Sequence, residues 1–288
     1  MISASIPHRI AVASYHKLPD TALEAEKVCA WLQEHGLQST CSALDDPGLR
    51  GRVQDGEFDL FITIGGDGTM LRSAQLCAPL GIPILGIHLG RLGFLIQVRH
   101  KEWPQALERL LKGDFWIENR MMLLAEHMHA GNSMGSWHAL NEAAICRGIL
   151  VRPVHLSASV DGSLLTTYVA DGLIAATATG STAYALASGG PILPPELRNI
   201  LLVPIAPHLS VDRAVVLSEG TAVNILVLEG EAVLSVDGQN PIPVAVGDSV
   251  NVRAGDYAAQ FVRFGDPAYF YQNLTAHMNQ NPAIGMPR

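Results

Sequence analysis

The sequence predicts an α/β N-terminal domain built on a parallel sheet, followed by a mostly β, sandwich-like C-terminal domain. Three observations predict it. Strand-like and helix-like segments alternate up to about Lys112, and beyond Gly113 to Arg120 short apolar runs are separated by turn residues. The closing "DPAYFYQNLTAHMNQ" then returns to a helical pattern that would pack back on the first domain. The expected domains are 1–119, joined by about 265–288, and 120–264.

Each element has a local reason. "RIAVAS" (9–14) reads as a first strand. "PDTALEAEKVCAWLQEHG" reads as a helix, with Thr21 and Glu24 spaced as a capping box, Gly36 beyond its end, and Ala25, Val28, Cys29 and Leu32 at helical spacing. "LQSTCSAL" is a weaker strand, "DLFITI" a strong one, and a helix is expected from about Thr69. "IPILGI" follows as a strand and "KEWPQALERLLKG" as a helix. Such alternation indicates a parallel sheet covered on both faces. In the second domain "VHLSASVDGSLLTTY" carries Asp161-Gly162 as a hairpin turn, and "EAVLSVDG", "IPVAVGDSVNVRAG" and "YAAQFVRF" read as further strands with turns. The sequence holds no internal repeat and no low-complexity segment.

Composition narrows the class. With 288 residues, 48% hydrophobic and 16% charged, the chain can bury substantial cores. A formal net charge of -8 argues against nucleic-acid or anionic-membrane partners, while leaving room for a local basic pocket. Cys29, Cys41, Cys77 and Cys146 form no C-x-x-C pair, so neither a zinc site nor a disulfide framework is expected, and a reducing compartment is. The first residues lack a basic segment followed by a long apolar one, and "LFITI" and "ILLVPIA" are too short to span a bilayer. The expectation is a soluble, cytoplasmic protein.

Chemistry concentrates in two places. In "FDLFITIGGDGTMLRSA" (58–74) an apolar strand meets Gly65, Gly66, Asp67, Gly68 and Thr69, and then a helix. Glycines at such a junction let a phosphate approach backbone N–H groups. The pattern is neither G-x-G-x-x-G nor the lysine-containing P-loop. A tight turn in which Asp67 or Thr69 merely caps the helix fits these five residues equally well. Beside phosphate a carboxylate has two uses, holding Mg²⁺ or accepting the proton of an attacking hydroxyl, and both belong to phosphoryl transfer. Arg72, one turn into the helix, could reach the same phosphates or lie solvated on the surface. The second place joins Asn141 and Glu142 in "ALNEAAI" to "VADGLIAATATGSTAYALASGGPI" (169–192), which supplies Thr179, Gly180, Ser181, Thr182 and Tyr184. These are small donors and acceptors able to enclose a base or ribose. Taken singly, each would be an ordinary loop.

Taken in order, "GGDGT", "GIHLGRLGF", "NE" and "DGLIAATATGSTAYALASGGPI" resemble the bacterial NAD kinases, which phosphorylate the 2′-hydroxyl of the adenosine ribose of NAD to make NADP. The resemblance spans roughly 58–270, and its last segment is the most specific. The GGDGT turn alone resembles the diacylglycerol and sphingosine kinases equally, and the phosphofructokinases more loosely. The resemblance implies that Asp67 is the catalytic aspartate, with Gly65, Gly66, Gly68 and Thr69 around the phosphates and dinucleotide. It implies that Asn141 and Glu142 bind adenosine and ribose groups, that Asp171 stands at the nicotinamide end, and that Thr182, Ala183 and Tyr184 wall the adenine and ribose. Arg72 and Arg152 match basic dinucleotide contacts, Gln239 a polar residue closing the site, and Phe94 an apolar neighbour of the adenine. Val169, Ala187 and Ala206 complete the implied lining.

Three positions depart from the pattern: Ala178 stands where a proline is usual, Val169 where many relatives are basic, and His88 where asparagine is commoner. His88 reads as a strand-end histidine without a catalytic role. The resemblance also implies ATP and NAD as substrates, Mg²⁺ or another divalent cation, and a homodimer or homotetramer. The donor (ATP or polyphosphate) and the choice of NAD or NADH stay open. A lipid kinase sharing the turn, or a dinucleotide-binding sensor without catalysis, are the alternatives.

Overall fold

The first unit, Met1–Asn119 with Ala259–Arg288, is organised by parallel strands. The computed structural model describes residues 6–15, 19–90, 93–148, 152–208 and 211–278. In order come β1 (Arg9–Ser14), α1 (Pro19–Glu34), β2 (Gln38–Ala43), α2 (Pro47–Gln54), β3 (Leu60–Gly65), α3 (Asp67–Cys77), β4 (Ile84–His88), β5 (Val98–Arg99) and α4 (Trp103–Leu111). The strand order is β2-β1-β3-β4, all parallel, with β5 on β4. β3 is buried at every residue, as a central parallel strand covered on both faces must be, and its one polar side chain, Thr63, donates to the Ser73 hydroxyl of α3 at 2.7 Å before Gly65 ends the strand. α4 buries Trp103, Ala106, Leu107 and Leu110 at helical spacing, and each leucine contributes roughly 1.5–3 kcal/mol by its burial.

Several expectations for this unit are corrected. The capping box does not form, because α1 begins earlier, at Pro19; the Thr21 hydroxyl donates to the Tyr15 carbonyl, and Glu24 accepts from the Trp103 indole at 2.6 Å. α2 has no counterpart among the expected elements; Asp46 caps it through the Gly48 and Leu49 N–H groups and Pro47 opens it. α3 starts at Asp67 rather than Thr69. Cys29 and Cys41 are disulfide-bonded, contrary to the sequence reading. The inward face of α1 lies over β2, where the Ser39 hydroxyl also reaches the Cys29 carbonyl, so two cysteines with no motif spacing meet.

The second unit, Arg120–Ala258, is a sandwich of antiparallel strands. The chain enters it within β6 (Trp116–His129) and leaves it within β17 (Ser249–Arg263). Between them lie β7 (Asn132–Ala139), β8 (Glu142–Arg147), β9 (Val154–Val160), β10 (Ser163–Ala170), β11 (Gly172–Ala176), α5 (Tyr184–Ala187), β12 (Asn199–Ile205), β13 (Val215–Ser218), β14 (Val223–Glu229), β15 (Ala232–Val236) and β16 (Ile242–Val244). One sheet holds β10-β9-β14-β17 with β6 and β7; the other runs β13-β12-β11-β8-β15-β16. Asp161 and Gly162, both at positive φ, make the β9–β10 turn as predicted. β14 and β15 alternate buried and half-buried residues, sending Val223, Ile225, Leu234 and Val236 into the shared core.

β8 and β11 instead carry apolar residues on both faces. Ala143, Ile145, Leu173 and Ala175 face the sandwich core, whereas Ala144, Ile174 and Ala176 face a second cluster with Ala178, Ala185 and Leu193. The segment after β11 therefore folds back over the outer face of its own sheet. "YAAQFVRF" is not a strand of its own but the continuation of β17, whose far end pairs in parallel with β4 through Phe261 and Ile84 in the first unit. There too α6 (Tyr269–Met278) packs back, with the Tyr269 ring 6.5 Å from that of Trp116. The histidine-containing stretch 127–138 lies in the β6–β7 hairpin, where His127 and His129 both bond Asp248.

Candidate active site

In the first unit five residues, Gly65 to Thr69, turn β3 into α3. Gly66 is the N-cap in extended conformation, and no side chain caps the helix. The capping alternative therefore fails. Asp67 Oδ2 accepts the Phe94 N–H at 3.0 Å, and Thr69 folds back over Gly65, where a Cβ would stand 2.4 Å from Thr69 Oγ1. None of Gly65, Gly66 and Gly68 has positive φ, and only at Gly65 does a close contact require the missing side chain. Gly68 is exposed with open space beside it, whereas the Thr69 N–H turns back to the Gly66 carbonyl at 2.9 Å. The loop after β4 closes on the same carboxylate: a Cβ at Gly93 would lie 2.1 Å from Asp67 Oδ2.

His88 ends β4 in register with Gly65. Its Nδ1 accepts the Gly90 N–H at 2.8 Å, which leaves the proton of the neutral ring on Nε2. Burial lowers its pKa below the usual histidine value, against the pull of the nearby Asp67 charge. Arg72 is exposed, its guanidinium 5.5 Å from the Tyr15 ring centroid rather than in the turn.

In the second unit Asp237 organises the Asn141-Glu142 pair, accepting the N–H groups of Leu140, Asn141 and Glu142 at 2.9, 2.8 and 3.1 Å. Glu142 is buried, with Oε2 lacking a hydrogen-bond partner among the described residues. Burial, then the Asp237 charge, pushes its pKa up to about 7, opposed by the Tyr184 N–H. The Tyr184 side chain bonds the Cys146 thiol, and both groups feel Asp171, whose carboxylate pairs with Arg147 Nε at 3.0 Å. A Cβ at Gly180 would lie 2.1 Å from the Asn141 carbonyl oxygen, so the two distant motifs are in backbone contact. Arg120 Nη1 donates to Thr179 Oγ1 at 3.1 Å.

The family profile of the ATP-NAD kinase C-terminal domain matches residues 140–264, and that of the N-terminal domain matches residues 49–115. The NAD kinase of Chloroflexus aurantiacus is 40% identical over 279 residues, 95% of this chain and 99% of that protein. The chain belongs to the NAD kinase family. The NAD kinase of Heliobacterium modesticaldum is 44% identical over 226 residues, 78% of this chain and 79% of that protein. Among solved structures, yeast NADH kinase complexed with NADH superposes with a TM-score of 0.83 at 25% identity, covering 98% of this chain and 91% of that one. An NAD kinase from Archaeoglobus fulgidus in complex with ATP shares the fold, with a TM-score of 0.77 at 24% identity and coverage of 95% and 100%.

Of the residues the NAD kinase resemblance singled out, the first unit brings together Gly65, Gly66, Asp67, Gly68, Thr69 and the Phe94 backbone. The second brings together Asn141, Glu142, Asp171 and Tyr184. Val169 and Ala206 lie beside Asp171, since the Val169 carbonyl accepts the His208 N–H and the Asp171 N–H reaches the Ile205 carbonyl. Thr182 and Ala183 are half-buried ahead of α5, the Thr182 hydroxyl donating to the Thr179 carbonyl. Ala187 is exposed at the end of α5, Gln239 is exposed two residues beyond Asp237, and Arg152 is exposed outside these contacts. The basic partner of Asp171 is Arg147, which the sequence reading missed. It missed Asp237 too, although the quoted "EAVLSVDG" contains it. As for a cation, no cluster of three or more His, Cys, Asp or Glu residues able to hold a metal occurs among the described residues. Mg²⁺ needs only one or two carboxylates beside substrate phosphates and water, and Asp67 next to exposed Gly68 fits that demand.

Proposed function

We propose that this chain transfers the terminal phosphoryl group of ATP to the 2′-hydroxyl of the adenosine ribose of NAD, forming NADP. One observation carries the reading: a single chain holds both a carboxylate in the first turn of a helix behind a glycine turn and an Asn-Glu pair, its glutamate buried, bonded to the TGSTAY segment. Phosphoryl transfer asks the protein mainly for positioning and charge neutralisation. Asp67 takes the proton of the attacking hydroxyl, and the Phe94 N–H on Oδ2 fixes the carboxylate's orientation. The first N–H groups of α3 attract phosphate oxygens. When bound, Mg²⁺ neutralises phosphate charge, and Asp67 is the residue that would hold it.

In the second unit Asn141, Glu142, Thr182, Ala183 and Tyr184 receive the adenosine end, and Asp171, oriented by Arg147, the nicotinamide end. Arg72, Arg152, Phe94, Gln239, Val169, Ala187 and Ala206 are proposed lining residues. The protein is proposed to act in the cytoplasm as a homodimer or homotetramer; no described helix is long and apolar enough to cross a membrane. The test is a coupled assay for NADP formation from NAD or NADH, with ATP or polyphosphate, with and without Mg²⁺. The expected result is ATP- and Mg²⁺-dependent NADP from NAD. Phosphorylation of diacylglycerol without NADP formation, or NAD binding with no turnover, would overturn it.

A further inference from the structure

We propose that Arg263 is a positioning residue for Asp67, acting through the loop that follows β4. The inference rests on Asp67 being the reacting carboxylate. Arg263 is 1% exposed, and its Nε donates to Glu118 Oε2 at 2.7 Å. Its Nη1 reaches past that partner to the Leu95 carbonyl at 2.9 Å. The residue before Leu95 is Phe94, whose N–H holds Asp67 Oδ2. A second clamp follows at once: Gln97 Nε2 donates to the Phe264 carbonyl at 2.8 Å, and Gln97 Oε1 accepts the Phe264 N–H at 2.9 Å. The loop that orients Asp67 is thus bound at two successive points to the end of β17, about 170 residues later in the chain.

Stability alone does not account for this arrangement. Arg263 Nη2 is buried without an acceptor among the described residues, and a buried ion pair with an unused donor is a poor stabiliser compared with apolar residues of the same volume. What the guanidinium supplies is a fork: one branch neutralises Glu118, the other fixes a carbonyl. Tyr269 closes the far side, its hydroxyl 3.1 Å from both Glu118 oxygens and its ring 5.3 Å from the guanidinium.

The experiment compares R263K, the double variant E118L/R263M, Y269F and D67N in steady-state kinetics with NAD and Mg-ATP, alongside thermal unfolding. Lysine keeps the charge and loses the fork; the apolar double variant keeps a filled core should R263K fail to fold. Both are expected to lower kcat about 10- to 100-fold per folded enzyme, with KM for NAD within about threefold, as for a slightly displaced catalytic group. Y269F, which removes the hydroxyl bonded to Glu118, should lose stability and keep kcat. A wild-type kcat in folded R263K or in the double variant overturns the proposal, as does a loss of kcat in Y269F that tracks its stability. Normal turnover by D67N would instead sink the reading of Asp67, and the proposal with it; slow D67N beside normal R263K sinks the positioning role alone.

Discussion

Gly180 lies against the backbone of Asn141, whose carbonyl oxygen would be 2.1 Å from any Cβ placed there. That carbonyl also accepts the Thr177 N–H at 2.8 Å, so it cannot retreat without loosening the bond that joins the two segments. Gly180→Ala is therefore expected to destabilise the protein by roughly 1–3 kcal/mol and to raise KM for NAD. Urea unfolding together with steady-state kinetics checks this; an unchanged midpoint and KM would show that the segment yields freely.

Asp67→Asn should slow turnover by about 10²- to 10⁴-fold while NAD binding, measured by calorimetry, largely survives. The amide still accepts the Phe94 N–H, so the loop has no reason to move. Near-normal turnover in a folded variant would remove Asp67 from the chemistry.

Glu142 gives a pH dependence. Its folded pKa of about 7 exceeds the ordinary 4.5, so between these values the folded carboxyl keeps a proton that the unfolded chain releases. Stability from this group is fullest below 4.5 and is lost as pH rises towards 7, by an amount on the order of 3 kcal/mol at most. Glu142→Gln has no proton to lose and should flatten that slope. Urea unfolding of both proteins on either side of the window decides it, and equal slopes would assign the titration to another group.

The disulfide makes a prediction about thiols. Denatured without reductant, the protein should show two reactive thiols, Cys77 and Cys146, and four after reduction. Reduction, or Cys29→Ser with Cys41→Ser, should lower stability by about 2–3 kcal/mol. Four thiols before reduction would rule the bond out.

The legible parts of this protein are those where local pattern and tertiary role coincide. β3 announces itself as an apolar run broken only by Thr63 because both its faces are covered, and Asp161-Gly162 names its turn because few residue pairs accept two positive φ angles. The Glu142 site is half legible: "NE" and "TGSTAY" stand in the sequence, but the Asp237 carboxylate that shapes the pair lies 95 residues from Glu142, and no period links them. α2 shows how a true signal is outvoted, since its Asp46-Pro47 start is plain while Gly48 and Gly51 argue against a helix. The Cys29–Cys41 and Arg263–Leu95 contacts depend on how α1 and β17 are laid down, which spacing does not encode.

Asp171 stands between Ala170, the last residue of β10, and Gly172, the first of β11, and these two strands belong to opposite sheets of the sandwich. There is no linker on either side of it. Inserting or deleting one residue here would strain the junction or shift one ladder by one place, exchanging the two faces of that strand. Loop length, the usual means by which related enzymes retune a pocket, is thus closed to variation at this position. Any change in how that end of the site selects its ligand has to be made in side chains, at Arg147, Val169 or Ala206, around an aspartate whose location the pleat of two sheets has already decided.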